Sequence, residues 1–186
     1  MFHAMSHYQY PPLSPGSDSI RLLRLMPDKD EKAPIQCELF EYSLQESING
    51  THLYEALSYV WGSPETSESI SIDKHILPVT ANVHAALSSL RDRSFERIIW
   101  VDFICINQAD EKDEKERQIQ SMAKIYGQAN RVVVYLGVAA DASDQALEDI
   151  RVAAEDESTN LSISEKSQKL ILKLLERPWF QRIWVS

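Results

Sequence analysis

Alternating apolar and polar residues divide the first half of the chain into short strands. Residues 35–44 are predicted to form a strand buried on one face, because Ile35, Cys37 and Leu39 alternate with Gln36 and Glu38. Similar patterns, bounded by proline, glycine and charged residues, predict two more strands and a hairpin, over residues 19–26, 54–60 and 70–79. A helix is expected to follow the hairpin, with Thr80 or Asn82 as its N-cap.

Continuous apolar runs and helical periodicity dominate the second half of the chain. Residues 98–106 and 131–136 are nearly all apolar, as strands covered on both faces of a parallel sheet are. Residues 112–130 have apolar side chains at helical spacing, which predicts a βαβ unit with both strands adjacent and central. Two further helices and a final strand are predicted over residues 144–156, 164–176 and 180–185. The elements predict an α/β fold, a mainly parallel sheet flanked by helices, with an N-terminal strand and hairpin elaboration.

Length and composition indicate one globular domain preceded by a tail. A chain of 186 residues with 44% apolar and 25% charged residues is long enough to bury a core without disulfide or metal staples. Residues 1–17 contain three prolines and no hydrophobic period. We therefore expect a flexible N-terminal tail there, and the domain over residues 18–186.

Charge and targeting signals disfavour several classes of partner. The net charge of −9 argues against nucleic acid and anionic membranes, which attract basic proteins. The sequence has no secretion signal and no apolar stretch long enough to span a membrane, so we expect a cytoplasmic protein. Its scattered glycines and its lack of histidine or cysteine clusters predict neither a nucleotide-binding glycine loop nor a metal site, and no cofactor is expected.

Asp102 is the strongest candidate for chemistry. It interrupts an apolar run near the predicted C-terminal end of a strand, where ligands bind in open α/β sheets. Such an acid is either part of a functional site or a structural carboxylate that caps the adjacent loop, and both alternatives stay open. Asn107 and Gln108 follow in the predicted loop, where they either orient a ligand or satisfy the loop backbone.

Glu116 and Arg117 are a second pair of candidates. They lie in a run of mixed charges near the start of a predicted helix, a pattern more typical of a solvated helix face than of a site. A nucleophilic triad of Cys105, His84 and Asp102 is a further alternative. A cysteine in an apolar run is, however, more often a buried thiol.

All four tryptophans occur in apolar segments that also contain charged or amide residues. Trp61 follows the third predicted strand, and Trp100 lies in the first continuous apolar run. Trp179 and Trp184 share the segment 177–185. Because a buried tryptophan needs a partner for its N–H, this association predicts that three separated segments converge on one region.

Three ordered blocks of sequence resemble the fungal heterokaryon incompatibility (HET) domain. The first is Ala-Leu-Ser-Tyr-Val-Trp-Gly at 56–62. The second is Trp-Val-Asp-Phe-Ile-Cys-Ile-Asn-Gln at 100–108, followed by Glu-Arg-Gln at 116–118. The third is Arg-Pro-Trp-Phe-Gln-Arg-Ile-Trp-Val at 177–185. The residues of these blocks that the resemblance nominates for a functional edge are Trp61, Gly62, Trp100, Asp102, Asn107, Gln108, Glu116, Arg117, Trp179 and Arg182.

The resemblance implies a domain of fungal self/non-self recognition that signals programmed cell death, through self-association or by docking a protein partner. HET domains are distantly similar to Toll-receptor-like (TIR) domains, some of which cleave NAD with a glutamate on a helix. A TIR-like fold is therefore implied, and an NAD-hydrolysing enzyme is the alternative function. In that alternative NAD is a substrate, and Asp102 and Glu116 are the catalytic candidates.

The HET pattern continues with a Gln-Glu pair just after the third block, whereas this sequence ends at Ser186. We accordingly expect a HET domain that is truncated at its C-terminal end. The same departure predicts no NAD turnover by this chain unless a following segment supplies the acid. An inactive fragment of a larger incompatibility protein is the second alternative.

Overall fold

The structure, a computed structural model, describes residues 6–14, 18–45, 52–109, 114–155 and 164–182. These residues belong to two units, Met1–Tyr135 and Leu136–Ser186, which are described separately.

The first unit is built on one mixed sheet of seven strands. Numbered along the chain, they are β1 (Ser19–Leu25), β2 (Gln36–Ser43), β3 (Glu55–Tyr59), β4 (Glu68–Ile72), β5 (His75–Val79), β6 (Arg97–Trp100) and β7 (Arg131–Tyr135). Their order across the sheet is β5-β4-β2-β1-β6-β3-β7. β3 is parallel to both of its neighbours and β2 is parallel to β4, whereas the remaining neighbours are antiparallel. The α/β class, with parallel strands together at one side and a hairpin added at the other, is confirmed.

Helices accompany both units. The described helices of the first unit are α1 (Ala81–Leu90), α2 (Asp102–Cys105), α3 (Glu114–Gln120) and α4 (Met122–Gln128). Those of the second unit are α5 (Ser143–Glu155), α6 (Glu165–Leu175) and a 3₁₀ turn at Pro178–Gln181. In the part of the chain that the structure describes, none of them is both long enough and apolar enough to cross a membrane.

The hairpin and the first helix form where the sequence predicts them. Asp73 and Lys74 have φ angles of 49° and 70°, as the two central residues of a type I′ turn do. Thr80 caps α1, because its Oγ1 accepts a hydrogen bond from Val83 N at 3.4 Å. Val83 and Leu87 are fully buried on the apolar face of this helix.

The prediction of a strand over residues 98–106 is wrong for the second half of that range. β6 ends at Trp100, and Asp102–Cys105 form the short helix α2. Ile104 and Cys105 are as deeply buried as the strand residues before them. A buried strand and a buried helical turn share the same apolar pattern, so periodicity alone did not separate them.

The prediction that the two continuous apolar runs form adjacent strands is wrong, because β3 lies between β6 and β7. β7 is the edge strand of the described sheet, where Val132 and Val134 are 46% and 40% exposed. The prediction of a central, doubly covered strand is therefore wrong for β7. An apolar run carries no information about strand order, and strands that follow one another along the chain are not always neighbours.

The helix predicted over residues 112–130 is divided into α3 and α4 at Ser121. Ser121 Oγ donates to Arg117 O at 2.9 Å, and the Ser121 N–H is shared between Arg117 O and Gln118 O. Such bonding of a serine to the preceding turn bends helices. The first predicted residues of this helix, up to 113, lie outside the described residues.

α1 and α4 flank β6 on opposite faces. The Trp100 ring packs edge-on against Tyr126 of α4, with ring centres 5.4 Å apart. Arg97 points to the other face of the strand, and its Nη1 donates to Leu90 O at the end of α1 at 3.0 Å.

Residues 6–14, within the segment expected to be a flexible tail, contact the first unit. Tyr8 N donates to Ile76 O and Ile76 N donates to Ser6 O, both at 2.9 Å. Tyr10 Oη donates to Ile104 O at 2.9 Å. These bonds hold the segment against β5 and α2.

The second unit pairs α5 with α6. Ala146 of α5 and Leu174 of α6 are its buried apolar residues in the described part. Arg177, just after α6, donates to Leu136 O and Ala140 O at 3.0 and 3.1 Å. The strand predicted over residues 180–185 is wrong at its first two residues, which belong to the 3₁₀ turn Pro178–Gln181. Residues 183–186 lie outside the described residues.

A buried ion pair joins β1 to α3. Arg21 Nη1 and Nη2 donate to the two carboxylate oxygens of Glu114 at 2.5 and 2.8 Å, and the side chains are only 3% and 9% exposed. The same guanidinium donates to Pro11 O at 2.6 Å and to Cys105 O at 3.4 Å. It also lies 5.3 Å from the ring centre of Tyr10. This arginine therefore connects β1, the end of α2, α3 and the N-terminal segment.

Glu114→Gln is expected to lower the free energy of unfolding by about 3–5 kcal/mol, because the Arg21 charge stays buried without its counter-ion. Urea unfolding followed by circular dichroism measures this loss. Glu148→Gln is the matched control, since it breaks an exposed pair with Arg151 and should change stability little. A loss for Glu114→Gln no larger than that of the control would contradict the prediction.

Candidate functional site

The carboxyl ends of the parallel strands β3 and β6 meet at one edge of the sheet. Ala56 is in register with Trp100, so Trp61 and Asp102, which follow the two strands, emerge side by side. The first turn of α1 brings Asn82 to the same place. Ligands of open α/β sheets bind at carboxyl ends of this kind. We call the following group the Trp61–Asp102 edge: Trp61, Gly62, Asn82, Asp102 and Phe103.

Asp102 joins the two segments of this edge. Trp61 Nε1 donates to Asp102 Oδ2 at 3.0 Å, and Phe103 N donates to Asp102 Oδ1 at 2.7 Å. The Trp61 and Phe103 rings pack edge to face with their centres 5.6 Å apart. Asp102 is only 6% exposed, whereas Trp61 is 42% exposed. The carboxylate thus fixes the orientation of an aromatic ring that remains open to solvent.

Position 62 requires glycine, because of its backbone conformation and because Asn82 lies close to it. Its φ of +71° lies in the left-handed region, and an added Cβ would stand 2.7 Å from Asn82 Nδ2. Asn82 Nδ2 itself donates to Val60 O at 2.9 Å, so this close approach holds the turn after β3 against α1. The sequence analysis predicted Asn82 only as a possible helix cap, and it did not predict Phe103 as a site residue. The signal available for Phe103 was its position directly after Asp102 in the second block.

Asn107 and Gln108 make the contacts expected of loop residues. Gln108 Nε2 donates to Asp102 O at 3.1 Å, and Ala109 N donates to Asn107 Oδ1 at 3.2 Å. Both amides therefore bond to nearby backbone, which is the structural alternative left open for them.

Trp100, which the sequence places at the functional edge, is a core residue. It is fully buried, and its Nε1 has no hydrogen-bond partner among the described residues. Tyr126, which packs on its ring, donates from Oη to Leu57 O at 2.9 Å. The packing of Trp100 therefore ties β6 to α4 and β3 beneath the Trp61–Asp102 edge.

Glu116 and Arg117 lie on exposed positions of α3. Glu116 Oε1 accepts a hydrogen bond from Gln120 Nε2 at 3.3 Å, and Arg117 lines a cavity beside the start of β1. Trp179 and Arg182 belong to the second unit, where the Trp179 and Phe180 rings meet edge to face at 5.1 Å. The convergence of all three tryptophan segments stays a prediction, since Trp184 lies outside the described residues.

The alternative triad centred on Cys105 is not favoured. Cys105 is fully buried, and its Sγ accepts from Val101 N at 3.3 Å. Burial raises the pKa of this thiol to about 12, so it is protonated at neutral pH, whereas a cysteine nucleophile acts as the thiolate. Among the described residues, no three histidine, cysteine or acidic side chains form a cluster that could hold a metal ion.

Asp102→Asn is expected to lower the free energy of unfolding by about 1–3 kcal/mol, because the new amide cannot accept from both Trp61 and Phe103. Trp61→Phe removes the same bond from the other side. The two changes should therefore be non-additive in urea unfolding, with a coupling energy of roughly 0.5–3 kcal/mol.

Asp92→Asn provides the control for this coupling. Asp92 accepts hydrogen bonds from Ser94 N and Phe95 N, and it precedes the first residue of β6, whereas Asp102 follows the last. Its effect should add to that of Trp61→Phe. If the losses from Asp102→Asn and Trp61→Phe also add, the proposed role of Asp102 in holding Trp61 is incorrect.

Comparison with known proteins shows the family of the chain. Residues 54–186, more than half of the chain, match the family described as Heterokaryon incompatibility protein (HET). The sequence is 30% identical, over an alignment 220 residues long, to heterokaryon incompatibility protein 6, OR allele, of Neurospora crassa. That alignment covers 92% of this chain and 32% of the relative, so the chain spans about a third of the relative's length. No solved structure matches the chain. On the family match, the chain belongs to the heterokaryon incompatibility (HET) family.

Proposed function

We propose that this chain acts in fungal heterokaryon incompatibility as a protein-docking module whose engagement signals cell death. Family membership and the name of the Neurospora crassa relative support the role in incompatibility. The observation that carries the docking proposal is the Trp61 ring, which is 42% exposed and yet held by Asp102 and Phe103.

An exposed but fixed tryptophan is well suited to recognise a protein. Tryptophan is among the residues that contribute most to protein interfaces. A side chain that is already held in one orientation loses little conformational entropy when a partner binds. The bond from Trp61 Nε1 to Asp102 and the packing on Phe103 supply that restraint before any partner arrives.

The contacts of Asp102 favour a positioning role over catalysis. Both carboxylate oxygens accept hydrogen bonds from within the chain, and the residue is 6% exposed. Cleavage of a glycosidic bond needs a carboxylate placed against the sugar. Asp102 is committed to the scaffold, and Glu116 lies on an exposed helix position. These contacts favour docking over NAD hydrolysis, and the experiment below distinguishes the two functions.

The proposal is tested by expressing the chain in fungal hyphae and measuring growth arrest and cellular NAD together. We expect arrest without NAD loss for the unaltered chain. Trp61→Ala should abolish the arrest, because it removes the proposed anchor. Phe95→Ala is the matched control, since Phe95 is a 75% exposed aromatic outside this edge and its removal should leave the arrest unchanged.

Circular dichroism of the purified variants confirms that each one folds. Arrest that persists in a folded Trp61→Ala variant would contradict docking through this edge. NAD loss that accompanies arrest and disappears in Asp102→Asn or Glu116→Gln would instead support the enzyme. Light scattering of the purified chain over a range of concentrations distinguishes self-association from docking of another protein.

A further inference from the structure

The exposed ring of Trp61 has the chemistry to bind a cation. Among aromatic side chains, tryptophan attracts an ammonium or guanidinium group over its face most strongly. The ring is 42% exposed, and its Nε1 already donates to Asp102 Oδ2 at 3.0 Å. A partner therefore meets the aromatic ring rather than its N–H. The bond to a carboxylate also polarises the indole, which makes its face more attractive to a positive charge.

Acidic residues follow Trp61 in the loop that leads to β4. Residues 61–69 are all exposed, and they contain Glu65 and Glu68 but no lysine or arginine. Glu65 N donates to Ser63 Oγ at 3.3 Å, so the loop turns within a few residues of Trp61. Among the described residues, neither glutamate takes part in an ion pair. Both carboxylates are thus available to a partner.

The sheet holds the second of these acids at the same end of α1 as the Trp61–Asp102 edge. Glu68, the first residue of β4, is in register with Val79, and the next residue, Thr80, caps α1. Asn82, in the first turn of this helix, bonds to Val60 O just before Trp61. The start of β4 and the loop after β3 therefore meet at the N-terminus of α1.

Basic residues are scarce around this edge. Lys74 is the one lysine or arginine over residues 61–90, and it lies at the tip of the β4–β5 hairpin, roughly 17 Å along the strand from the start of β4. Lys115 is closer, since its Nζ donates to Gln108 O at 3.4 Å. Asp102 and the two glutamates outweigh this cation, and the net charge of the chain is −9. Such a negative surface attracts a basic partner and disfavours an acidic one.

Arginine fits this edge better than lysine does. Its guanidinium is planar and stacks on an aromatic face, while its N–H donors stay in the plane and can bond to carboxylates at the rim. Trp61 supplies the ring, and Glu65 and Glu68 supply the carboxylates. A lysine ammonium is a compact and strongly hydrated charge that makes a smaller contact with a ring. Arginine and tryptophan are also both enriched among the residues that dominate protein interfaces.

We propose that the partner docked at the Trp61–Asp102 edge presents an arginine whose guanidinium stacks on Trp61 and bonds to Glu65 or Glu68. This inference rests on the docking function proposed above and adds the chemistry of the partner to it. The class of partner is a basic protein segment that contains arginine. A purely apolar segment would use the ring but not the two glutamates.

Nuclear magnetic resonance of the isotope-labelled full chain tests the inference through the indole N–H signal of Trp61, which is the signal missing from Trp61→Phe. The probes are blocked Gly-Ser-X-Ser-Gly peptides with arginine, citrulline, lysine or leucine as X. We expect a saturable shift of this signal with the arginine peptide at millimolar concentration. The citrulline peptide keeps the shape of arginine without its charge and should bind at least about fivefold more weakly. The lysine and leucine peptides should also bind more weakly than the arginine peptide.

Glu65→Gln combined with Glu68→Gln should weaken binding of the arginine peptide about threefold or more, because two attracting charges are lost. Glu31→Gln combined with Glu96→Gln is the matched control and should leave the affinity unchanged. It removes the same charge from two exposed residues away from this edge, since Glu31 O accepts from Arg91 at the end of α1 and Glu96 precedes β6.

A citrulline, lysine or leucine peptide that binds as tightly as the arginine peptide would overturn the inference. The absence of any saturable shift of the Trp61 signal, or equal losses of affinity in the two double variants, would overturn it as well. Docking through Trp61 is judged separately, by the growth arrest of the Trp61→Ala variant. Failure of this inference is therefore distinguishable from failure of the proposed function.

Discussion

The buried ion pair between Arg21 and Glu114 is the interaction on which the rest of the first unit depends. Two charges that are almost completely removed from water are tolerated only when they are paired and their remaining hydrogen bonds are made. Here Arg21 also donates to Pro11 O in the N-terminal segment and to Cys105 O at the end of α2. One side chain on β1 therefore fixes three elements that are distant in sequence.

The consequence for the Trp61–Asp102 edge is positional. α2 begins at Asp102 and ends at Cys105, whose carbonyl accepts from Arg21. The same short helix is also held by Tyr10, which donates to Ile104 O. The helix that carries Asp102 is thus held by contacts of its own in addition to the bond to Trp61. The orientation of the exposed tryptophan depends on contacts that begin in the first strand.

A second ionic contact organises the opposite edge of the parallel strands. Glu55, at the start of β3, accepts from Arg97 on β6 at 2.6 and 2.8 Å and is also paired with Arg131 on β7. One carboxylate therefore bridges both neighbours of β3 at their amino ends. The parallel strands are in this way held by charge at one end, while the carboxyl ends remain available for Trp61 and Asp102.

Much of this fold could be predicted from the sequence because its signals are local. The turn at Asp73 and Lys74 and the Thr80 cap each depend on a few consecutive residues. The change from β6 to α2 could not be predicted, since an apolar run suits a buried strand and a buried helical turn equally well. The Arg21–Glu114 pair was beyond local pattern for another reason, because its partners are 93 residues apart. The candidate site followed the same division: Asp102 stood out as an acid in an apolar run, whereas its bond to Trp61 required the tertiary fold.

The family match begins at residue 54, yet β1 and β2 lie inside the sheet, between β4 and β6. Our central claim is that these strands, through Arg21, belong to the same folding unit as the matched region. Removal of residues 1–53 followed by thermal unfolding, monitored by circular dichroism beside the full chain, tests this claim most directly. We predict that the shortened chain shows no cooperative transition, because β4 and β6 each lose one neighbouring strand and Glu114 loses its counter-ion. A cooperative transition at a temperature close to that of the full chain would contradict the account.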